Sequence, residues 1–161
     1  MNWDYVAGLF DGDGFVRVYF TKSTHSKVYN PTLSVSIDVS GDVIMPLKRF
    51  LVEQGCLPER GREEGSYTYN YEGAIGEILY IRFHSWGGVE KFVINTLPKA
   101  YIKKEQLSLT LDAINLRKKI LKNGERICDN LVYFDEIRKE LHKLARKGPK
   151  TLREYDWRNE G

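Results

Sequence analysis

Residues 32–40 alternate in period two. Leu33, Val35, Ile37 and Val39 stand between Thr32, Ser34, Ser36, Asp38 and Ser40. A strand with one dry and one wet face must lay the dry face on a core, and a one-residue slip would turn every apolar side chain to water. Three more stretches share the pattern. Val16, Val18 and Phe20 alternate with Arg17, Tyr19 and Thr21; Ser66, Thr68 and Asn70 alternate with Tyr67, Tyr69 and Tyr71; Leu79, Ile81 and Phe83 alternate with Tyr80, Arg82 and His84. Helical spacing separates them. Trp3, Val6, Ala7 and Phe10 predict a helix over residues 2–10, ended by Asp11-Gly12-Asp13-Gly14. Further helices are expected over 42–54 (Pro46 falls in the first turn if that helix begins near Val43 or later), 87–95, from Pro98 to about 122, and about 130–146, where Phe134, Ile137, Leu141 and Leu144 form a stripe. The order is α-β-β-α-β-β-α with extra C-terminal helices. This is an α+β layout with antiparallel hairpins, expected as one domain over residues 1–161. Its core covers about 2–122, and a helix and basic tail follow over about 128–161.

Composition narrows the function classes. The chain has 161 residues, enough for one real core, and no apolar run reaches the roughly 20 residues of a membrane span. Its start lacks a basic segment followed by a long apolar run, so no secretory signal is expected. Cys56 and Cys128 form no CxxC pair, which argues against a zinc or disulfide framework. An intracellular home is expected, in a prokaryotic cytoplasm or an organelle. Charge is uneven: residues 1–100 hold 10 Lys+Arg and 12 Asp+Glu, whereas residues 101–161 hold 15 and 10. A basic second half permits a polyanionic partner.

The wet faces of the four strands are chemically specific. They carry Arg17, Tyr19, Thr21, Thr32, Ser34, Ser36, Asp38, Thr68, Asn70, Tyr80, Arg82 and His84. Arg pairs with guanine edges, Asn with adenine, and Ser and Thr with bases or phosphates. A curved β-ribbon fits the DNA major groove. The alternative is an ordinary solvated sheet face. Arg60 and Arg62, flanking Gly61, extend this surface to the DNA backbone or form a charged turn.

The segment Val6-Ala7-Gly8-Leu9-Phe10-Asp11-Gly12-Asp13-Gly14 resembles the signature of the LAGLIDADG homing endonucleases. Ala7, Gly8, Leu9, Asp11, Asp13 and Gly14 match it letter for letter; Val6, Phe10 and Gly12 depart mildly. It stands on a first helix feeding a first strand, where that family has it, and the layout resembles the family's αββαββα core over residues 2–122. Elementary chemistry points the same way. Ala7 and Gly8 are small enough for two such helices to pack closely. Asp13 sits beyond a helix C-terminus, where the macrodipole disfavours an anion, and two apposed copies would repel. A hard divalent cation removes that cost. An EF-hand reading fails, because Phe15 and Val16 stand where an oxygen ligand and a glycine are needed.

The resemblance implies a site-specific double-stranded DNA endonuclease using Mg²⁺, with Mn²⁺ as a substitute or Ca²⁺ as an inert one. It would cut across the minor groove, leave short 3′ overhangs and promote intron mobility. Asp13 aligns with the metal-binding catalytic carboxylate, and Gly12 with the residue whose carbonyl adds a ligand. Asp11 is expected to organise the helix end. Arg17, Tyr19 and Thr21, then Thr32, Ser34, Ser36 and Asp38, fall on the DNA-reading strands. Lys103 resembles the basic residue near the scissile phosphate, with Lys104 an equal candidate. The family's water-positioning Gln is missing; Ser40-Gly41-Asp42 stands there, and Asp42 either holds water or caps the next helix. One motif implies a homodimer through the helix over residues 6–14 and a long near-palindromic target. Arg138, Lys139, Lys143, Arg146, Lys147, Lys150 and Arg153 are read as flanking phosphate contacts or as a solvated helix. Two rivals share the fold: an RNA-splicing maturase bound to intron RNA, and a non-cutting DNA-binding regulator.

Overall fold

The computed structural model describes residues 1–145 and 152–155. The elements run α1 (Trp3–Asp13), β1 (Gly14–Lys22), β2 (Tyr29–Val39), α2 (Gly41–Glu53), β3 (Glu64–Tyr71), β4 (Ala74–Phe83), α3 (Trp86–Thr96), α4 (Lys104–Lys122), a 3-10 turn (Ile127–Asn130) and α5 (Leu131–Leu144). The expected α+β order stands. The strands form one antiparallel sheet in the order β1-β2-β4-β3. Its dry face presents Val16, Val18, Phe20, Leu33, Val35, Ile37, Ile81 and Phe83, all buried with the inner faces of the helices. At the centre an aromatic cluster joins α1, β4 and α3. Phe10 and Phe83 meet the Phe92 ring edge-on, with centroids 5.5 and 5.4 Å away.

Register follows from two devices. The β3–β4 hairpin closes through Glu72 and Gly73, both at positive φ (49° and 83°), as a two-residue turn matched to strand twist requires. β4 pairs with β2 only from Val35 to Val39, so Pro31 lies where its missing N–H removes no bond to β4.

One expectation about the C-terminal region needs correction. Arg138 is buried, not phosphate-facing. Its Nε donates to Asp135 Oδ1 at 2.7 Å, and its guanidinium lies 5.0 Å from the Tyr155 ring centre. Spacing of three places both partners on one face of α5, and that face turns inward because Phe134 and Leu141 share it. Residues 152–155 lie against the domain: Tyr155 packs edge-on against Phe20 at 5.0 Å. Lys139 pairs with Asp135 and Lys143 with Glu140. Arg153 is exposed, whereas Arg146, Lys147 and Lys150 lie outside the described residues. No described helix is long and apolar enough to cross a membrane.

Candidate nucleic-acid interface and its acidic corner

The acidic corner is built where α1 meets β1. Asn2 caps the helix start, its side chain accepting from the Tyr5 N–H at 2.9 Å. The helix does not stop at residue 10 as expected; it runs through Asp13. Long-range partners explain the extra turn, because they satisfy the carbonyls a helix end leaves open. Lys103 Nζ donates to the Phe10 carbonyl at 2.9 Å and the Gly14 carbonyl at 2.5 Å. A cation there also complements the helix dipole. Gly14 is required by close approach: an added Cβ would lie 2.1 Å from Phe10 Cδ2.

Asp11 organises the corner more widely than expected. Its Oδ2 accepts from the Tyr101 N–H at 2.7 Å, and its Oδ1 from the N–H groups of Ile102 and Lys103 at 3.2 and 3.0 Å. These amides therefore belong to a tethered lead-in, and α4 begins at Lys104 rather than just after Pro98. No local sequence signal announces a contact spanning 90 residues. Asp11→Ala frees three charge-assisted bonds. Tyr101 and Ile102 are exposed and water replaces their partner, while the half-buried Lys103 amide loses more. We expect a loss of about 2–3 kcal/mol in urea-induced unfolding, with Asp11→Asn costing less. An Asp11→Ala stability equal to that of the parent would contradict this role.

Asp13 and Gly12 are both exposed at the tip of this corner. Among the described residues no group of three or more His, Cys, Asp or Glu side chains gathers to hold a metal. Upstream on α1, an added Cβ at Gly8 or Gly12 would meet nothing within 4 Å, and Tyr5 is half-exposed beside them. Ala7, expected to share in close helix packing, is instead buried in the chain's own core. Asp42 is exposed in the first turn of α2, and the N-cap position belongs to Ser40, so Asp42 is not the cap.

The outer sheet face begins at this corner. Pairing of Phe15 with Ser36, Arg17 with Ser34 and Tyr19 with Thr32 puts these residues on one side. Pairing of Ser36 with Arg82 and Asp38 with Tyr80 carries that side onto β4. The Arg17 guanidinium lies 4.8 Å from the Phe15 ring centre, Arg82 lies 4.7 Å from that of Tyr80, and the Thr21 and Thr32 hydroxyls share a bond at 3.2 Å. Ser34 and Ser36 were expected to be wet but are buried, because short side chains on an inner strand are overhung by long register neighbours. Ser36 Oγ has no hydrogen-bond partner among the described residues.

Thr68 and Asn70 are the main correction. They pair with Glu77 and Ile75, the face opposite to Arg17, Tyr80 and Arg82. The outer face of β3 carries Gly65, Tyr67, Tyr69 and Tyr71 instead. Both faces of β3 are largely open, so no core fixes which set is inward. The Glu72-Gly73 turn was the available signal, since a two-residue turn pairs Tyr71 with Ala74 and so fixes the parity. Tyr67 Oη donates to Asp38 Oδ2 at 2.8 Å, reaching over β4. The Asp38 carboxylate holds the Tyr67 phenol up at about 12, and partial burial and the charge of Asp13 add to the effect. Arg60 and Arg62 are exposed beside the sheet. Lys48 anchors their loop, bonding the Gly61 carbonyl at 3.1 Å and Glu64 at 2.5 Å, and this ion pair raises the Lys48 pKa and lowers that of Glu64.

A helix-backed antiparallel sheet with an open hydrogen-bonding face and an acid at its edge defines a class that comparison specifies. No family model and no curated protein matches the sequence. Solved structures do. The homing endonuclease I-CvuI, in complex with the I-CreI target in the presence of 2 mM Mg with the DNA not cleaved, aligns at TM-score 0.63 and 14% identity, over 93% of this chain and 85% of its own. The archaeal intron-encoded homing endonuclease I-Vdi141I, complexed with DNA, aligns at TM-score 0.62 and 19% identity, over 96% and 88%. The LAGLIDADG homing endonuclease I-GzeII, in complex with its DNA target, aligns at TM-score 0.59 and 12% identity, over 86% of this chain but 44% of its own. The chain has the LAGLIDADG homing endonuclease fold.

Proposed function

We propose that the protein is a homodimeric, site-specific DNA endonuclease that hydrolyses one phosphodiester on each strand across the minor groove of a near-palindromic target. The observation that carries this reading is the exposed Asp13, held at the end of α1 by the Asp11–Lys103 contacts and flanked by the outer sheet face. The solved structures named above are homing endonucleases bound to DNA, and this chain spans 44% of I-GzeII.

The donor chemistry fits Mg²⁺. Asp13 carboxylates from two subunits, Gly12 carbonyls and phosphate oxygens are all hard oxygen ligands, and among the described residues of one subunit no three such side chains gather. The open Gly8 and Gly12 face of α1 lets a second α1 approach without steric conflict. A bound cation supplies a polarised phosphodiester and a more acidic water. Lys103 fixes the turn that aims Asp13 and adds positive charge where the phosphate gains negative charge. Arg17, Arg82, Arg60 and Arg62 bind and orient the duplex. Promotion of intron mobility follows as the biological role.

The decisive experiment incubates the protein with intronless target DNA, with and without Mg²⁺. Metal-dependent double-strand cutting supports the reading. Tight binding without cutting supports the regulator, and intron-RNA binding with splicing assistance supports the maturase. Binding should also weaken linearly in log-log salt titrations, with a slope near −0.9 for each phosphate neutralised. An affinity indifferent to ionic strength would remove the arginines from the interface.

A further inference from the structure

An acid on a DNA-reading face is anomalous. Arg17, Arg82, Tyr19 and Thr32 all offer donors to a polyanion, whereas Asp38 offers only repulsion to phosphates. It therefore has no use as a backbone contact. Its position is also specific. Gly14, the first residue after α1, pairs with Ile37, so Asp38 lies next to the α1–β1 junction, and the Tyr67 phenol bonded to it feels the charge of Asp13. Of all the residues on β2's outer face, Asp38 is the one nearest the acidic corner.

The carboxylate is held. Tyr67 Oη donates to Oδ2 at 2.8 Å from a strand that is not β2's neighbour, and the Tyr67 ring packs on Tyr80 with centroids 6.1 Å apart. Tyr80 is Asp38's register partner and carries the Arg82 guanidinium. The Tyr67 bond fixes one carboxylate oxygen, and so the orientation of the other. With Tyr67 on Oδ2, Oδ1 has no hydrogen-bond partner among the described residues and can accept from a base. The raised Tyr67 pKa keeps the phenol a donor at any physiological pH.

The major-groove edges decide what such an acceptor takes. Guanine shows N7 and O6, and thymine shows O4; all repel a carboxylate. Adenine shows an amino group beside the N7 acceptor. Cytosine alone shows an amino donor with no adjacent acceptor of its own. We propose that Asp38, oriented by the Tyr67 hydroxyl, is a specificity-determining residue that selects cytosine in the major groove at the half-site position nearest the cleavage centre. This rests on the DNA-binding reading above and deepens it.

The test selects duplexes from a randomised DNA library with the full chain, in Ca²⁺, and sequences the bound pool. The parent should fix cytosine at one mirrored column in each half-site. Asp38→Asn, nearly isosteric, should turn that column to adenine, because an amide pairs with adenine N6 and N7, while the other columns stay. Tyr67→Phe should keep cytosine but weaken its preference about tenfold. Tyr69→Phe, on the same strand face, should change nothing there. An Asp38→Asn pool identical to the parent's overturns the proposal and leaves DNA recognition standing. A parent pool with no preferred column overturns the DNA reading and the proposal with it. Circular dichroism of each variant separates loss of a column from loss of the fold.

Discussion

Asp13→Asn is expected to abolish cutting while leaving the duplex bound. The substitution keeps shape and hydrogen bonding but removes one negative charge per subunit from the cation's ligand set, a loss worth several kcal/mol of transition-state stabilisation. That corresponds to about a thousandfold or more in single-turnover cleavage. Affinity for the same duplex should hold or rise, because two charges that repel phosphate are gone. Thermal unfolding should not fall, since Asp13 is exposed and among the described residues no hydrogen bond or ion pair runs through its carboxylate. Cleavage within about tenfold of the parent's would exclude Asp13 from the reaction and, with it, the proposed two-subunit centre.

Phe10→Ala should produce the largest change in stability. Phe10 has no solvent exposure, meets Phe92 edge-on at 5.5 Å, and carries the Lys103 ammonium 5.6 Å from its ring centre. Truncation empties the space under the acidic corner and costs about 3–5 kcal/mol. For a chain of this size that is a fall in Tm of roughly 6–20 °C. The measurement must hold protein concentration fixed, because subunit association contributes to Tm. Phe10→Leu keeps most of the volume and should cost under about 1.5 kcal/mol. Equal melting of the Ala variant and the parent would mean that the corner is not supported by this ring.

Much of this architecture is legible in the chain because its signals are local. The alternation of Leu33, Val35 and Ile37 requires one buried face, and all three are fully buried. The stripe of Phe134 and Leu141 places α5, and the segment around Asp13 marks the corner. Legibility ends where the deciding interaction is distant or absent. The end of α1 depends on Lys103 and the start of α4 on Asp11, and neither residue says from its neighbours that it will reach the other helix. Thr68 and Asn70 look like readers because they are polar, yet β3 has no packed face and parity belongs to the turn. Arg138 looks like a phosphate contact until Asp135 and Tyr155 enclose it. For Arg138 the misleading property was its own polarity and the deciding one its partners; for Thr68 and Asn70 the deciding feature was the turn at Glu72 and Gly73.

Reciprocal contacts between α1 and α4 have a consequence for how such a molecule is altered. Asp11 grips the main chain before α4, and Lys103 grips the main chain at the end of α1, so the two junctions fasten each other. None of those bonds runs through a side chain on the outer strands. On the proposed reading, side chains of the outer sheet face can thus be exchanged one strand position at a time while the contacts that hold Asp13 stay in place.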